Sequence, residues 1–428
     1  MSAGALMVSA PASGHGKTTV TAALARAWVD AGLRVRVFKT GPDFLDPMVL
    51  ARASRAPVRQ LDLWMGGFVH CASLLHAAAA ESDVVLVEGA MGLYDGTPSS
   101  ADLAVRFGLP VLATIDASAM AQTFGAIAYG LASWRGAPGL AAVVANRCGG
   151  AVHARMLRES LPAGLAWYGA LPRDPALELP QRHLGLVQAD ELDDLDARID
   201  AAARALTADG VPPLPPPAAL PEVREPPPPR ALGGVRVALA RDAAFAFVYE
   251  ANLEVLRALG AEVLAFSPLA DEPVPAGAHA LWLPGGYPEL HLRALATRHR
   301  ARESVRAHHA AGRPILAECG GLLWLLDSLA DAHGERAPML GLLPGHARIQ
   351  PSLVNLGLQS LDLPEGTVRG HTFHHARAEV RAAPAAHTRG ARDHGAPEPV
   401  WRAGRLTASF LHLYFASAPA VVAALLRP

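Results

Sequence analysis

The chain has 428 residues, 51% of them apolar and 18% charged, with a formal net charge of −1. That composition excludes a disordered chain, and the length calls for two cores rather than one. Without an excess of cations a nucleic acid or an anionic membrane is not an expected partner, and no run of roughly 18 apolar residues asks for a membrane span. Cys71, Cys148 and Cys319 are too few for a disulfide framework and form no CxxC pair. The opening MSAGALMVSA has no basic start before its short apolar run, so no signal peptide is expected and a cytoplasmic location is.

In chain order, apolar runs at Ala5–Ala10, Arg34–Lys39, Val84–Glu88, Pro110–Asp116 and Leu140–Asn146 read as buried strands. Thr18–Asp30 and His153–Ser160 read as helices between them. Strand–helix alternation of this kind predicts a parallel sheet covered on both faces. Pro212–Pro229, PPLPPPAALPEVREPPPP, disfavours both helix and sheet and reads as an extended spacer; a ligand for a polyproline-binding domain is the sharper alternative. Beyond it the rhythm resumes, with strands at Val235–Ala240, Glu262–Phe266, Ala280–Leu283 and Pro314–Glu318 and helices at Asn252–Leu259 and Gly321–Ala330. Two α/β domains are therefore expected, at 1–205 and 233–428, joined by a proline-rich linker at 206–232.

The first strand runs into PASGHGKTT and then a helix. Glycines let backbone N–H groups approach phosphate oxygens, and the helix start adds a favourable partial charge. The expected nucleotide cradle is Ser13, Gly14, His15, Gly16, Lys17, Thr18 and Thr19, with Lys17 reaching the terminal phosphates and Thr18 on magnesium. Pro11 stands where the usual motif has its first glycine. A dimerising positional ATPase would share such a loop but carries a signature lysine where this chain has Ala12. Glu88, ending a strand, and Asp43, following the second one, are the expected oxygen ligands for magnesium; Asp46 is a further candidate. Each could instead simply cap a turn.

In RPILAECGGLLWLL a strand is followed by Cys319, two glycines and a helix, the layout of a nucleophile elbow. A thiol at a helix start is expected to be acidified, and Gly285 and Gly286 upstream supply N–H groups for an oxyanion, with Gly286 and Gly320 as the expected pair. His412, in ASFLHLYF, is the candidate base. His371, His374 and His375 lack a carboxylate or thiol at ligand spacing, and a strand would put the first two on opposite faces, so a metal site is not expected there. Cys71 and Cys148 read as structural.

The segments APASGHGKTT, FKTGPDFLDP, LDLWM, VEGAMGLYDG, PQRHLGL, LPGGYPEL, AECGGL, RGHTFHH and ASFLHLYF together resemble the cobyrinate and hydrogenobyrinate a,c-diamide synthases of vitamin B12 biosynthesis, over nearly the whole chain. The resemblance implies a dethiobiotin-synthetase-like P-loop domain followed by a class I glutamine amidotransferase domain. It implies that Cys319, assisted by His412, releases ammonia from glutamine. ATP and magnesium (Mg2+) would phosphorylate a corrin acetate, and sheltered ammonia would displace the phosphate, the c side chain before the a. Lys17 and Thr18 carry over to phosphate and magnesium, Asp43 and Glu88 to the metal, and Asn146 to adenine. Asp95 and His183 fall in segments that would line the corrin site. Tyr414 stands where triad amidotransferases have an acid, which leaves the third triad member open and implies a glutaminase that is weak until the synthetase site is filled. GPDFLDPM and QLDLWM look like the cobalt-late branch, whose substrate is metal-free. Partners would be small molecules, with a homodimer allowed. The competing readings are a cobyric acid synthase, which amidates other corrin side chains, and a non-catalytic P-loop scaffold.

Overall fold

A computed structural model describes residues 3–136, 139–182, 185–391 and 395–428. They separate into two compact units, one running to Glu225, the other taking Pro226–Pro428 together with Trp64–Gly66.

In the first unit β1 (Gly4–Ser9), β2 (Val35–Thr40), β3 (Arg59–Leu61), β4 (Val84–Glu88), β5 (Val111–Asp116), β6 (Leu140–Cys148) and β7 (Ala166–Pro172) form one sheet in the order β3-β2-β4-β1-β5-β6-β7. Every neighbouring pair is parallel. β1 is central and wholly buried, which is why GALMVS reads as an unbroken apolar run rather than an alternating one. Its C-terminal end lies beside that of β4, with Val8 opposite Glu88, and Lys39 of β2 opposite Glu88 on the other side. Parallel sheets bind their ligands at this end of the strands, where the order reverses.

The proline-rich stretch has its own partners in this unit. Pro217 bridges Gly4, Ala5 N–H reaches Pro216 O at 3.4 Å, and the indole of buried Trp28 donates to Pro212 O at 3.2 Å. Glu225 meets His70 Nδ1 at 2.7 Å. Proline lacks an N–H but keeps a carbonyl, so the strap's prolines accept, while Ala218 N–H donates to Ala3 O at 3.4 Å and Glu225 N–H to Ser73 Oγ at 3.0 Å.

The second unit carries a mixed sheet in the order Glu262–Phe266, Arg236–Ala240, Ala280–Leu283, Ile315–Glu318, Leu406–Ser409, Pro399–Ala403, Ala386–His387. The first five strands are parallel and the last two antiparallel. Strand alternation divides the core into two layers: Leu281, Leu283, Ile315 and Ala317 face one, Ala280, Trp282 and Leu316 the other. A second, antiparallel sheet pairs Asn355–Leu363 with Gly366–His374, and the latter with His412–Leu413.

Strand positions match the sequence reading to within a residue or two. One helix does not. The helix expected over Gly321–Ala330 spans Gly320–Leu325, and Ser328–Ala330 is a strand. Returning chain takes the carbonyls that would have continued it. Leu340 N–H donates to Trp324 O at 2.9 Å and Gly341 N–H to Leu326 O at 2.8 Å, while the Leu342 and Leu343 N–H groups share Leu325 O.

Candidate active sites

In the first unit the phosphate loop joins β1 to α1 (Lys17–Asp30). Gly14 and Gly16 adopt φ of 83° and 87°, a left-handed conformation that favours glycine. Gly16 has a second reason to be glycine: a Cβ there would run into Asn146 Nδ2. Asn146 donates to His15 O at 2.9 Å and accepts from Arg147 N–H at 3.0 Å, so its side chain braces the loop. His15 Nδ1 accepts from Asp116 N–H at 2.9 Å, and burial lowers its pKa. Arg147 donates to Gly14 O at 3.0 Å and pairs with Asp116. Ser13 and Gly14 are exposed at the tip, and Thr19 is half-buried in the first turn of α1. Lys17 Nζ rests on Met91 O at 2.6 Å, its pKa lowered by burial and by Lys39.

Beside the loop is a buried acidic cluster organised by a lysine that the sequence reading passed over. Lys39 Nζ lies 2.6 Å from Glu88 Oε1 and 2.8 Å from Asp46 Oδ2. Burial alone would lower its pKa, but Asp46, Glu88 and Asp43 overturn this and raise it, so it is a fixed cation. Asp43 is pushed up to about 7 by burial and by Asp46; its Oδ1 accepts from Leu45 and Asp46 N–H at 2.8 and 3.1 Å. Asp46 goes the other way: burial raises it, yet Lys39 holds it below the usual range. Thr18 Oγ1 donates to Glu88 Oε1 at 3.0 Å, and Glu88 Oε2, fully buried, makes no hydrogen bond among the described residues. Among those residues no three His, Cys, Asp or Glu side chains make a cage for a metal ion. Magnesium needs none, since it is commonly held by one or two carboxylates, waters and substrate phosphates. The hydroxyl of Thr18 next to an orphaned carboxylate oxygen fits it. Asp95 is spent locally, accepting from Gly92 N–H at 2.9 Å, and His183 lies outside the described residues.

In the second unit Cys319 sits between its strand and helix at φ 43°, ψ −102°. A non-glycine residue there is strained, and such strain collects where a side chain must be aimed. Its N–H donates to Ser409 O at 2.8 Å. Gly320 and Gly286 are pressed together: a Cβ on Gly320 would lie 2.9 Å from Gly286 N and 3.0 Å from Pro288 Cδ. The imidazole of His412 packs on Gly285 so closely that a Cβ there would collide with its Cε1. Elbow, glycine turn and histidine thus converge.

The electrostatics differ from the expectation of an acidified thiol. Burial, then the charges of Glu289 and Glu398, push the Cys319 pKa well up, outweighing its hydrogen bond with the backbone of Gly320. Burial pushes His412 down to about 3. A helix of six residues is too short and the site too desolvated for the helix start to win. The resting pair is neutral thiol and neutral imidazole.

Glu318, immediately before the nucleophile, is a second residue that the sequence did not announce. It is buried, accepts from Leu413 N–H at 2.8 Å and Trp282 Nε1–H at 2.9 Å, and is pushed up to about 8 by burial. It clamps the residue next to His412 to the residue next to Cys319. Glu318→Gln turns an amide N–H2 toward one of these donors and is expected to slow glutamine hydrolysis about 10–100-fold, since about 2–3 kcal/mol of buried hydrogen bonding is disturbed. Steady-state glutaminase rates check this, and a loss under twofold would deny Glu318 the role.

Among the other predicted positions, His371 pairs in register with His412 and is pushed down to about 3 by burial. His374 uses both ring nitrogens, on Ala376 O at 2.9 Å and Glu398 Oε1 at 2.7 Å, and stacks on Phe410 with centroids 3.9 Å apart. Tyr414 packs edge-on to Tyr249. Cys71 and Cys148 are buried thiols pushed up to about 12 and about 11 by burial.

Two family models match. Residues 6–187 match a CobQ/CobB/MinD/ParA nucleotide binding domain and residues 236–420 a CobB/CobQ-like glutamine amidotransferase domain. Over 424 residues the chain is 59% identical to a hydrogenobyrinate a,c-diamide synthase of Stutzerimonas stutzeri, covering 99% of this chain and 98% of that protein. A Pseudomonas aeruginosa protein of the same name is 58% identical, covering 99% and 97%. A cobyrinate a,c-diamide synthase of Herminiimonas arsenicoxydans is 48% identical, covering 100% and 97%.

Proposed function

The chain belongs to the hydrogenobyrinate and cobyrinate a,c-diamide synthase family, and from that premise we propose that it amidates the a and c acetates of metal-free hydrogenobyrinate with ammonia drawn from glutamine. The observation that carries this reading is the presence on one chain of two unlike candidate sites, a phosphate loop with a lysine-bound acidic cluster and a buried thiol converging with a histidine and two glycines. GPDFLDPM and QLDLWM and the names of the two relatives at 59% and 58% identity support the metal-free substrate.

At the thiol site His412 takes the proton of Cys319 as sulfur bonds to the amide carbon of glutamine. The oxyanion meets the N–H groups of Gly286 and Gly320. His412 then returns the proton to the leaving nitrogen, ammonia departs, and water hydrolyses the thioester to glutamate. At the phosphate site the corrin carboxylate attacks the γ-phosphorus of ATP, ADP leaves, and ammonia displaces phosphate from the acyl phosphate. Lys17, released from Met91 O, would follow the γ-phosphate; Lys39 holds Glu88 and Asp46 in place. Magnesium, held by Thr18 and Glu88 with Asp43 near, would neutralise phosphate charge. A cytoplasmic location fits these substrates; no helix among the described residues is long and apolar enough to cross a membrane.

The test is glutamine hydrolysis and corrin amidation in the presence of ATP and magnesium, with hydrogenobyrinate and its cobalt form supplied separately. The expected result is glutamate and a diamide from hydrogenobyrinate, with slow glutaminase turnover when the corrin is omitted. Amidation of the cobalt form alone would correct the substrate, and ATP hydrolysis with neither corrin amidated would sink the synthase reading.

A further inference from the structure

We infer that Glu289 is the receptor for the α-ammonium group of glutamine at the thiol site. The inference rests on the glutaminase reading above and names the subsite that would make it selective.

Glu289 follows the turn that carries the proposed oxyanion donor Gly286 and is the second residue of a 3₁₀ helix, Pro288–His291. That turn is held against the residue following the nucleophile: Pro288 Cδ and Gly286 N face Gly320 at 3.0 and 2.9 Å from where its Cβ would be. Glu289 is the next residue along, half-buried and close enough for its charge to act on the thiol.

What sets it apart is the absence of a partner. The two fully buried carboxylates near Cys319, Glu318 and Glu398, are both satisfied. Glu318 accepts from Leu413 N–H and Trp282; Glu398 accepts from Asn355 at 2.6 Å and Thr372 at 2.7 Å and meets His374 at 2.7 Å. Among the described residues Glu289 has no ion pair and no side-chain donor. Only its own backbone N–H assists it, and the charge of Asp331 acts against it. Burial accordingly pushes it up to about 7. Desolvating a lone carboxylate is costly, and a protein that keeps one beside its nucleophile gains from it when a ligand brings the cation.

Glutamine brings that cation. With its amide carbon on Cys319 Sγ, its α-nitrogen lies four bonds away along a flexible chain, so a carboxylate adjoining the nucleophile rather than touching it is the complement. The same contact would act on the chemistry. Glu289 is among the charges that hold the thiol proton on, and an ammonium beside it cancels that charge. Docking of the correct amino acid would therefore ease the transfer of the proton to His412. A carboxamide lacking the α-amino group would fit the pocket without that effect.

The experiment compares hydrolysis of glutamine with that of glutaramate, the same amide without the α-amino group, by the full-length parent, Glu289→Gln and Glu289→Asp. The parent is expected to prefer glutamine by about 100-fold or more in kcat/KM, a preference a buried charge contact can supply. Glu289→Gln should lose most of that preference, through a higher KM for glutamine together with a glutaramate turnover that rises because the charge holding the thiol proton on is gone; Glu289→Asp, which keeps the charge, should keep part of it. A Glu289→Gln protein that retains the parent's preference overturns the assignment. So does one in which both substrates lose kcat equally, which would make Glu289 part of proton transfer. A parent that hydrolyses no glutamine with all substrates present would overturn the glutaminase reading itself.

Discussion

Cys319→Ala is expected to lower glutamine-dependent amidation by about 10⁴-fold or more, the scale on which removing a nucleophile acts, while amidation fed with ammonium salts stays largely intact. The two sites reside in separate compact units, and the acidic cluster that would handle ATP contains nothing from the elbow. Burial, with Glu289 and Glu398, keeps the Cys319 proton on, so the sulfur becomes a nucleophile only as His412 takes that proton. A corollary separates this from a permanently ionised thiolate: free enzyme at neutral pH should react slowly with iodoacetamide. Diamide formation from glutamine and from ammonia, measured side by side, decides the matter. If the alanine variant still used glutamine, another nucleophile would have to be found.

The second large effect belongs to Lys39. Lys39→Ala is expected to lower amidation from glutamine and from ammonia alike, by about 10²–10³-fold, because it removes the cation that fixes Glu88 and Asp46 beside the phosphate loop. It should also destabilise the first unit by about 3 kcal/mol at neutral pH, since the fully buried Glu88 and the half-buried Asp43 and Asp46 lose their counter-charge. The sign of the pH dependence follows from the acids. Asp43 is already raised to about 7 with Lys39 present, so the folded state resists its ionisation, and stability is lost as pH rises from about 4 toward 7. Without Lys39 the loss is steeper, and the deficit in melting temperature should shrink as the pH is lowered from 7 toward 4. Thermal unfolding of both proteins across that range checks it. A deficit that grows in acid would mean that Lys39 is not the counter-ion of the cluster.

How legible each feature was depends on the distance over which it is determined. The phosphate loop and the elbow were readable because each is a local event, a buried strand, glycines and a helix start within about a dozen residues. Glu88 at a strand end, Asp43 just after one and Thr18 at a helix start could be named as candidate oxygen donors from their local setting, but Lys39 looked like no more than the polar end of its strand. Its importance appears only when parallel pairing sets it opposite Glu88, 49 residues on. Glu318 stands in sequence as no more than the last residue of the strand before the elbow, and its partners at Trp282 and Leu413 are 36 and 95 residues away. Asn146 was assigned to adenine by likeness to other ATPases and here braces the carbonyl of His15. The helix that stops at Leu325 is ended by chain from Leu340 onward, which no local pattern announces. The expected acidity of Cys319 failed for a related reason: helix starts are visible in sequence, desolvation is not.

The proline strap bears on where such a protein can be divided. A gene cut that follows composition, after residue 205, would discard the chain that bridges Gly4, meets Ala5 and takes the hydrogen bond of Trp28, and would strip His70 of Glu225. A cut after Glu225 keeps all four. Proline offers few backbone donors to a stray strand, and the one beside Gly4, Ala218 N–H, is already spent on Ala3 O, so the strap also finishes the start of β1 in a form that discourages aggregation. As a module to be expressed alone or recombined with another amide-forming partner, the synthetase half therefore ends about twenty residues beyond the point at which its helices do.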